Sequence, residues 1–181
     1  MEMADTRLGP EAWIDAGLKA LAKTGAAALK ADTLATRLGV SRGSFYWHFT
    51  DVAAFHAAVL RRWRELALER IIAEIDRIPS DRLETLLARA FAGEAALERA
   101  VRAWATSDSV AHEAVAAVDD ERIRYLRQLL VETGIPPAPA GVRARLLNWT
   151  YLGFAISSPR LDPESLKRVI RDLSVLARAT P

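Results

Sequence analysis

Gly39-Val40-Ser41-Arg42-Gly43-Ser44-Phe45-Tyr46-Trp47-His48-Phe49, read together with the residues just before it, is the stretch that decides the fold. Residues 31–49 carry the pattern of a helix-turn-helix: Leu34, Leu38, Val40 and Phe45 are apolar, Ala35 is small, and Gly39 stands at the turn. A side chain larger than Ala at 35 would push the two helices apart, and glycine at 39 can take the positive φ of a sharp helix exit. Ser41 is placed to cap the helix that follows. Phe45 and Tyr46 are neighbours and cannot share a helix face, so Phe45 is assigned to the core and Tyr46 to the outside. Arg42, Gly43, Ser44, Trp47 and His48 then lie on or near the outward face, beside a helix end with bare N–H groups. Such donors suit phosphates and base edges in a DNA major groove.

Outward from this motif, apolar positions recur at three and four residues almost throughout, and no alternating β-branched run is long enough for a sheet. The chain is expected to be all-α. The expected helices run from Pro10 to a stop at Gly25, over Asp32–Leu38, over Arg42–Phe49, and from a cap at Thr50 or Asp51 as far as Ile78, before Pro79. Ser80 is read as the start of another helix, Val101 and Trp104 as part of the next, and Val110 to Leu130 as a further one ending at Gly134. Ile135-Pro136-Pro137-Ala138-Pro139 reads as a loop. The last two helices are expected over about 142–157 and 163–178, separated by Ser158-Pro159-Arg160-Leu161-Asp162-Pro163. The expected architecture has about nine helices: a three-helix head, a connecting fourth helix and a five-helix body, divided into residues 1–50 and 51–181.

Composition narrows the chemistry. Of 181 residues 51% are apolar and 27% charged, which is globular usage. The absence of cysteine excludes disulfide scaffolds, thiolate metal sites and cysteine nucleophiles, and fits a reducing compartment. The opening Met-Glu-Met-Ala-Asp-Thr-Arg has no apolar run behind it and does not read as a secretory signal, so a cytoplasmic location is expected. The uncharged stretch Leu146 to Ser158 has 13 residues, short of the roughly 20 that a spanning helix needs. A net charge of +2 gives weak support for a polyanionic partner, and the first 60 residues hold six basic and six acidic side chains, Glu2, Asp5 and Arg7 among them. Modest nonspecific DNA affinity and a shallow salt dependence are expected from that balance.

The run from Gly39 to Phe49, with Gly25 upstream and a long helix downstream, strongly resembles the TetR family of bacterial transcriptional regulators over about residues 10–60. The resemblance implies a DNA-binding head whose third helix is the recognition helix, followed by a ligand-binding, dimerising body. Together with the chemistry of the residues themselves, it gives Lys30, Thr33, Ser41, Arg42, Gly43, Ser44, Tyr46, Trp47 and His48 as the expected DNA contacts, with bracing of the head as the other reading of His48. Two departures stand out. Many members have a phosphate-contacting Lys three residues after the Phe of the motif, where this chain has Val52, and Lys30 occupies the region where a capping Thr often opens the second helix.

For the body, packing is the default assignment of Trp63, Leu66, Phe91, Trp104, Tyr125, Trp149 and Tyr151. The resemblance makes a small-molecule site plausible, with Trp63, Phe91, Trp104, Ser107, Asp108 and His112 as candidate effector residues. Leu146, Leu147, Trp149, Thr150, Leu152, Gly153, Phe154 and Ile156 are apolar nearly all round their helix. A four-helix interface between two copies is expected, with Leu146, Trp149, Thr150, Gly153, Phe154, Ile170 and Leu173 as its residues. His112-Glu113 opens like a zinc-protease helix, but position 116, where the second His would stand, is Ala116. No metal, cofactor or catalytic constellation is read, and Glu121, Arg122, Arg124 and Arg127 read as a solvated or ion-paired face. The resemblance thus implies a dimeric repressor of a palindromic operator, released by a small molecule. The rival is a helical ligand-binding or interaction protein that has lost specific DNA binding, motivated by Val52 and the neutral head.

Overall fold

The computed structural model describes residues 8–93, 95–157 and 161–179. Glu2, Asp5 and Arg7 of the charge balance, and Ser158, Pro159 and Arg160 of the last linker, lie outside the described residues. The helices are α1 (Pro10–Thr24), α2 (Ala31–Leu38), α3 (Arg42–Tyr46), α4 (Val52–Arg64), α5 (Arg70–Ile75), α6 (Arg82–Ala92), α7 (Ala96–Ala105), α8 (Ser109–Glu132), α9 (Pro137–Ile156) and α10 (Pro163–Arg178). A π-turn at Glu65–Glu69 joins α4 to α5, so the expected unbroken fourth helix changes its winding midway and ends at Ile75. Counting α4 and α5 as one gives nine helices and no strand among the described residues.

Local chemistry accounts for most boundaries. Pro10 starts α1, and Gly25, at φ 81°, ends it. Gly39 takes the left-handed conformation at φ 69° and ψ 29°. The Val40 N–H donates to the Ala35 carbonyl at 3.1 Å and the Gly39 N–H to that of Thr36 at 3.3 Å, so α2 ends in the paired bonds of a Schellman turn. Asp51 Oδ1 accepts from the Ala54 N–H at 2.7 Å, capping α4.

Three expectations need correction. Ser80 does not open α6: Asp81 stands at its cap with φ 56°, a left-handed conformation that Asp tolerates better than most residues. The proline-rich segment is not a loop throughout. Helix α9 begins at Pro137, and Pro137, Ala138 and Pro139 form its first turn, where a missing N–H costs nothing. The third helix stops at Tyr46, five residues after it starts, and Trp47 and His48 continue as a turn in which the His48 and Phe49 N–H groups both donate to the Phe45 carbonyl.

The chain forms two compact units. The first joins the residues up to Trp63 with Ala96–His112, and the second joins Arg64–Ala95 with the residues from Glu113 on. In the first unit α1 packs against α2 and α7, and α2 packs against α3. Trp13, Leu21, Leu34, Phe45, Phe55 and Val59 are buried there. Gly17 permits α1 to lie against α4: a Cβ at this position would come within 2.7 Å of Phe55 Cζ and 3.1 Å of Val59 Cγ2.

The second unit is built on Leu83, Leu87 and Phe91 of α6, Leu126 and Leu130 of α8, Leu147 of α9 and Ile170 of α10. The small residues Ala140 and Ala144 are fully buried in the same core. Beside it the Tyr125 hydroxyl donates to Asp76 Oδ1 at 2.7 Å, and Arg82 bonds Asp76, Tyr125 and Glu132. Burial, followed by the hydrogen bond to Asp76, pushes the Tyr125 hydroxyl up to about 12.

Two predictions arise from this packing. Gly17→Val forces side-chain carbon into the Phe55 ring and lowers stability by about 1–3 kcal/mol in a denaturant melt. The neutral Tyr125 phenol is favoured in the folded state, so its contribution is complete below the ordinary phenol value of 10 and fades as pH rises toward about 12. The stability gap between the wild-type chain and Tyr125→Phe should therefore narrow across that alkaline window.

Candidate nucleic-acid interface

A five-residue helix cannot hold itself in water, so α3 depends on what its inward side chain touches. Phe45 is fully buried, and its ring centroid lies 5.3 Å from Trp13, 5.1 Å from Phe49 and 5.3 Å from Phe55, with Phe49 and Phe55 in turn 5.0 Å apart. These distances are those of attractive edge-to-face and tilted aromatic pairs. The cluster ties α3 to α1 and α4 through one side chain.

The neighbours of Phe45 stay at the surface, although the Tyr46 ring also packs edge-on to Phe45, centroids 5.2 Å apart. Trp47 is 84% exposed and Tyr46 45%, large aromatic groups that a chain without a partner would gain by burying. Lys30, Ser41, Arg42 and Gly43 are exposed, and Thr33, Ser44 and His48 are half-buried. All nine residues expected to contact DNA therefore keep some access to solvent. Ser41 occupies the cap position of α3, but its side chain makes no capping hydrogen bond, contrary to the expected role. A Cβ at Gly43 would meet nothing closer than Ser41 Oγ at 3.7 Å, so the fold itself does not require glycine there.

Arg42 is held in place. A terminal amine donates to the Tyr46 hydroxyl at 3.3 Å, the guanidinium carbon lies 5.7 Å from the Tyr46 ring centroid, and Nε lies 3.4 Å from Asp32 Oδ1. The hydrogen bond to Tyr46 and the charge of Asp32 raise the Arg42 pKa above its ordinary value. Asp32 was legible in the sequence as the start of a helix and one acid in a charge balance but not as a partner of Arg42, because that pairing depends on how α2 meets α3.

The expected effector residues fall in both units. Trp63 and Trp104 are buried in the first, where Trp104 sits edge-on to His56, centroids 5.0 Å apart, and the Leu29 carbonyl accepts from His56 Nε2 at 3.1 Å. Ser107 donates to the Trp104 carbonyl, Asp108 caps α8 by accepting from the Ala111 N–H at 2.8 Å, and His112 is exposed. Phe91 belongs to the second unit, packed on Tyr151 and Phe154. An open cleft of about 680 Å³ in the second unit, bordered by Asp76, Tyr125, Arg127 and Glu132, contains none of these residues. The Glu121–Arg127 face is ion-paired: Arg64 and Arg124 both reach Glu121, and Arg122 lies 3.6 Å from Asp119.

Of the expected interface residues, Leu146, Trp149, Thr150 and Gly153 are exposed on α9. Phe154, Ile170 and Leu173 instead pack in or on the core of their own unit. Exposed Val142 and Ile156 extend the α9 stripe to 142, 146, 149, 153 and 156, and Val175 and Leu176 are exposed on α10. Val142 carried a signal of its own, since it stands four residues before Leu146. Among the described residues no group of His, Asp and Glu is placed to hold a metal, and no helix is long and apolar enough to cross a membrane.

The profile of bacterial regulatory proteins of the tetR family matches residues 14–59, the segment that carries the aromatic cluster and the exposed face. Among solved structures, a transcriptional regulator from Rhodococcus sp. Rha1 is 26% identical, with a TM-score of 0.77 over 96% of this chain and 100% of its own. The fatty acid degradation regulator FadR from Bacillus halodurans is 14% identical, with a TM-score of 0.67 over 98% of this chain and 97% of its own. The multidrug binding protein EbrR, solved in complex with imidazole, is 21% identical, with a TM-score of 0.63 over 91% of this chain and 93% of its own. No curated protein sequence matches the chain. Residues 14–59 thus match the tetR family of bacterial regulatory proteins, and along its whole length the chain is similar to a solved transcriptional regulator.

Proposed function

We propose that the protein is a dimeric repressor whose two recognition helices read successive major grooves of a palindromic operator, and that a small molecule bound by the body releases it. The observation that carries the reading is the exposed set of Arg42 and Tyr46 on α3 and Trp47 in the turn just after it, presented by a helix whose buried residue, Phe45, anchors it in the aromatic core. Gly43 supports it. Glycine within a helix costs up to about 1 kcal/mol relative to Ala, and no crowding inside the chain repays it. Close approach of a DNA backbone would.

The reading assigns DNA binding to residues 1–50, through Lys30, Thr33, Ser41, Arg42, Gly43, Ser44, Tyr46, Trp47 and His48, and effector binding and dimerisation to residues 51–181. It places the protein in the cytoplasm, where its DNA is. Two of the structural relatives are described by what they bind or regulate, a multidrug binding protein with imidazole and a regulator of fatty acid degradation. A small organic effector is the corresponding ligand here, with Trp63, Phe91, Trp104, Ser107, Asp108 and His112 as the residues to vary. Release follows if the effector binds more tightly to the state of the body that is incompatible with two correctly spaced heads.

The test is binding of the purified chain to duplex DNA flanking its own gene and to scrambled DNA, over a range of salt. Arg42→Ala should lose about 1–3 kcal/mol at the specific duplex. Equal binding of the variant and the wild-type chain to every duplex favours a protein that has lost DNA reading. Dimerisation has its own test: Leu146 and Trp149 are 53% and 61% exposed, and replacing both with Glu should halve the mass found by sedimentation while leaving the helical signal in place. A wild-type chain that sediments as a monomer at every concentration removes the α9 interface.

A further inference from the structure

The Arg42 guanidinium carries five N–H donors. Nε is turned to Asp32 and one N–H to the Tyr46 hydroxyl, which leaves three donors with no partner among the described residues. Both members of the ion pair are well exposed, with side-chain exposures of 60% for Arg42 and 70% for Asp32, so the pair adds little to the stability of the fold. What it does is hold a long flexible side chain in one place, by a carboxylate on one side and a tyrosine on the other.

That arrangement has two consequences at a DNA surface. The Asp32 charge cancels the long-range attraction of Arg42 for the backbone, and a phosphate brought against Arg42 would also meet Asp32, a like charge. The edge of a guanine, with neutral O6 and N7 acceptors, takes the remaining donors without that penalty.

We propose that Asp32 is a positioning residue for specificity: by holding Arg42 it directs the guanidinium to a guanine edge and keeps it from serving as a general phosphate clamp. The inference rests on the DNA-binding reading above and deepens it. A neutral first segment, which alone reads as weak DNA affinity, becomes on this view part of the discrimination between sequences.

The experiment enriches duplexes from a random-sequence pool with the wild-type chain. The enriched duplex and a scrambled counterpart are then titrated across a salt series with the wild-type chain, Asp32→Asn, Arg42→Ala and the double variant, after thermal melts have established that each is folded. Asp32→Asn should bind the scrambled duplex several-fold more tightly, with a slope of log affinity against log salt steeper by about 0.9, because Arg42 is freed to neutralise one phosphate. The preference for enriched over scrambled duplex should fall about tenfold, the size of one good base contact. In the Arg42→Ala background, Asp32→Asn should leave that preference unchanged. If the wild-type chain enriches a sequence and Asp32→Asn keeps its full preference, or loses it equally without Arg42, the positioning role is overturned while DNA reading stands. If the wild-type chain enriches no sequence, DNA reading fails, and this inference fails with it.

Discussion

The contact of Phe45 with Trp13, Phe49 and Phe55 is the constraint on which the remainder of the head depends. Helix α3 has one hydrogen-bonded turn and little stability of its own, so its direction is set from outside, by the ring it inserts into the core. Truncating a buried aromatic of this kind costs about 3–5 kcal/mol, a large part of what a domain possesses. The Gly17 approach of α1 to α4 serves the same end, because it brings Phe55 to where Phe45 can meet it.

Much of this was legible in the sequence because it is local. Glycine at 25, 39 and 134 marks helix exits, and each takes a positive φ at the end of α1, α2 or α8. The assignment of Phe45 inward and Tyr46 outward needs only the helical period. The tetR match at residues 14–59 falls on the same residues from which the resemblance was read.

What was not legible depends on tertiary contact or on rules with two outcomes. The pairing of Asp32 with Arg42 spans a turn whose angle no periodicity specifies. Proline at 137 and 139 fits a loop and a first helical turn equally well, and the chain uses the second. In α9, apolar all round, the pattern cannot say which side meets the chain's own core. The structure gives Phe154 to that core and leaves Leu146 and Trp149 outside, and Ile170 on α10 is likewise internal. Residue type alone marks the candidate effector residues in the sequence, and two of them, Ser107 and Asp108, hold the α7–α8 turn through their own hydrogen bonds.

The brevity of α3 also bears on how such a protein can change over generations. Its structural demand is concentrated in one side chain, Phe45, while Arg42 and Ser44 within it and Trp47 just after it are exposed or half-buried. Substitutions at those positions alter the chemistry presented to a partner without opening a cavity or burying a charge, the events that make mutations severe. The surface that this turn of helix presents can therefore drift at nearly constant stability, and duplicated copies could come to present different surfaces before either risked losing its fold.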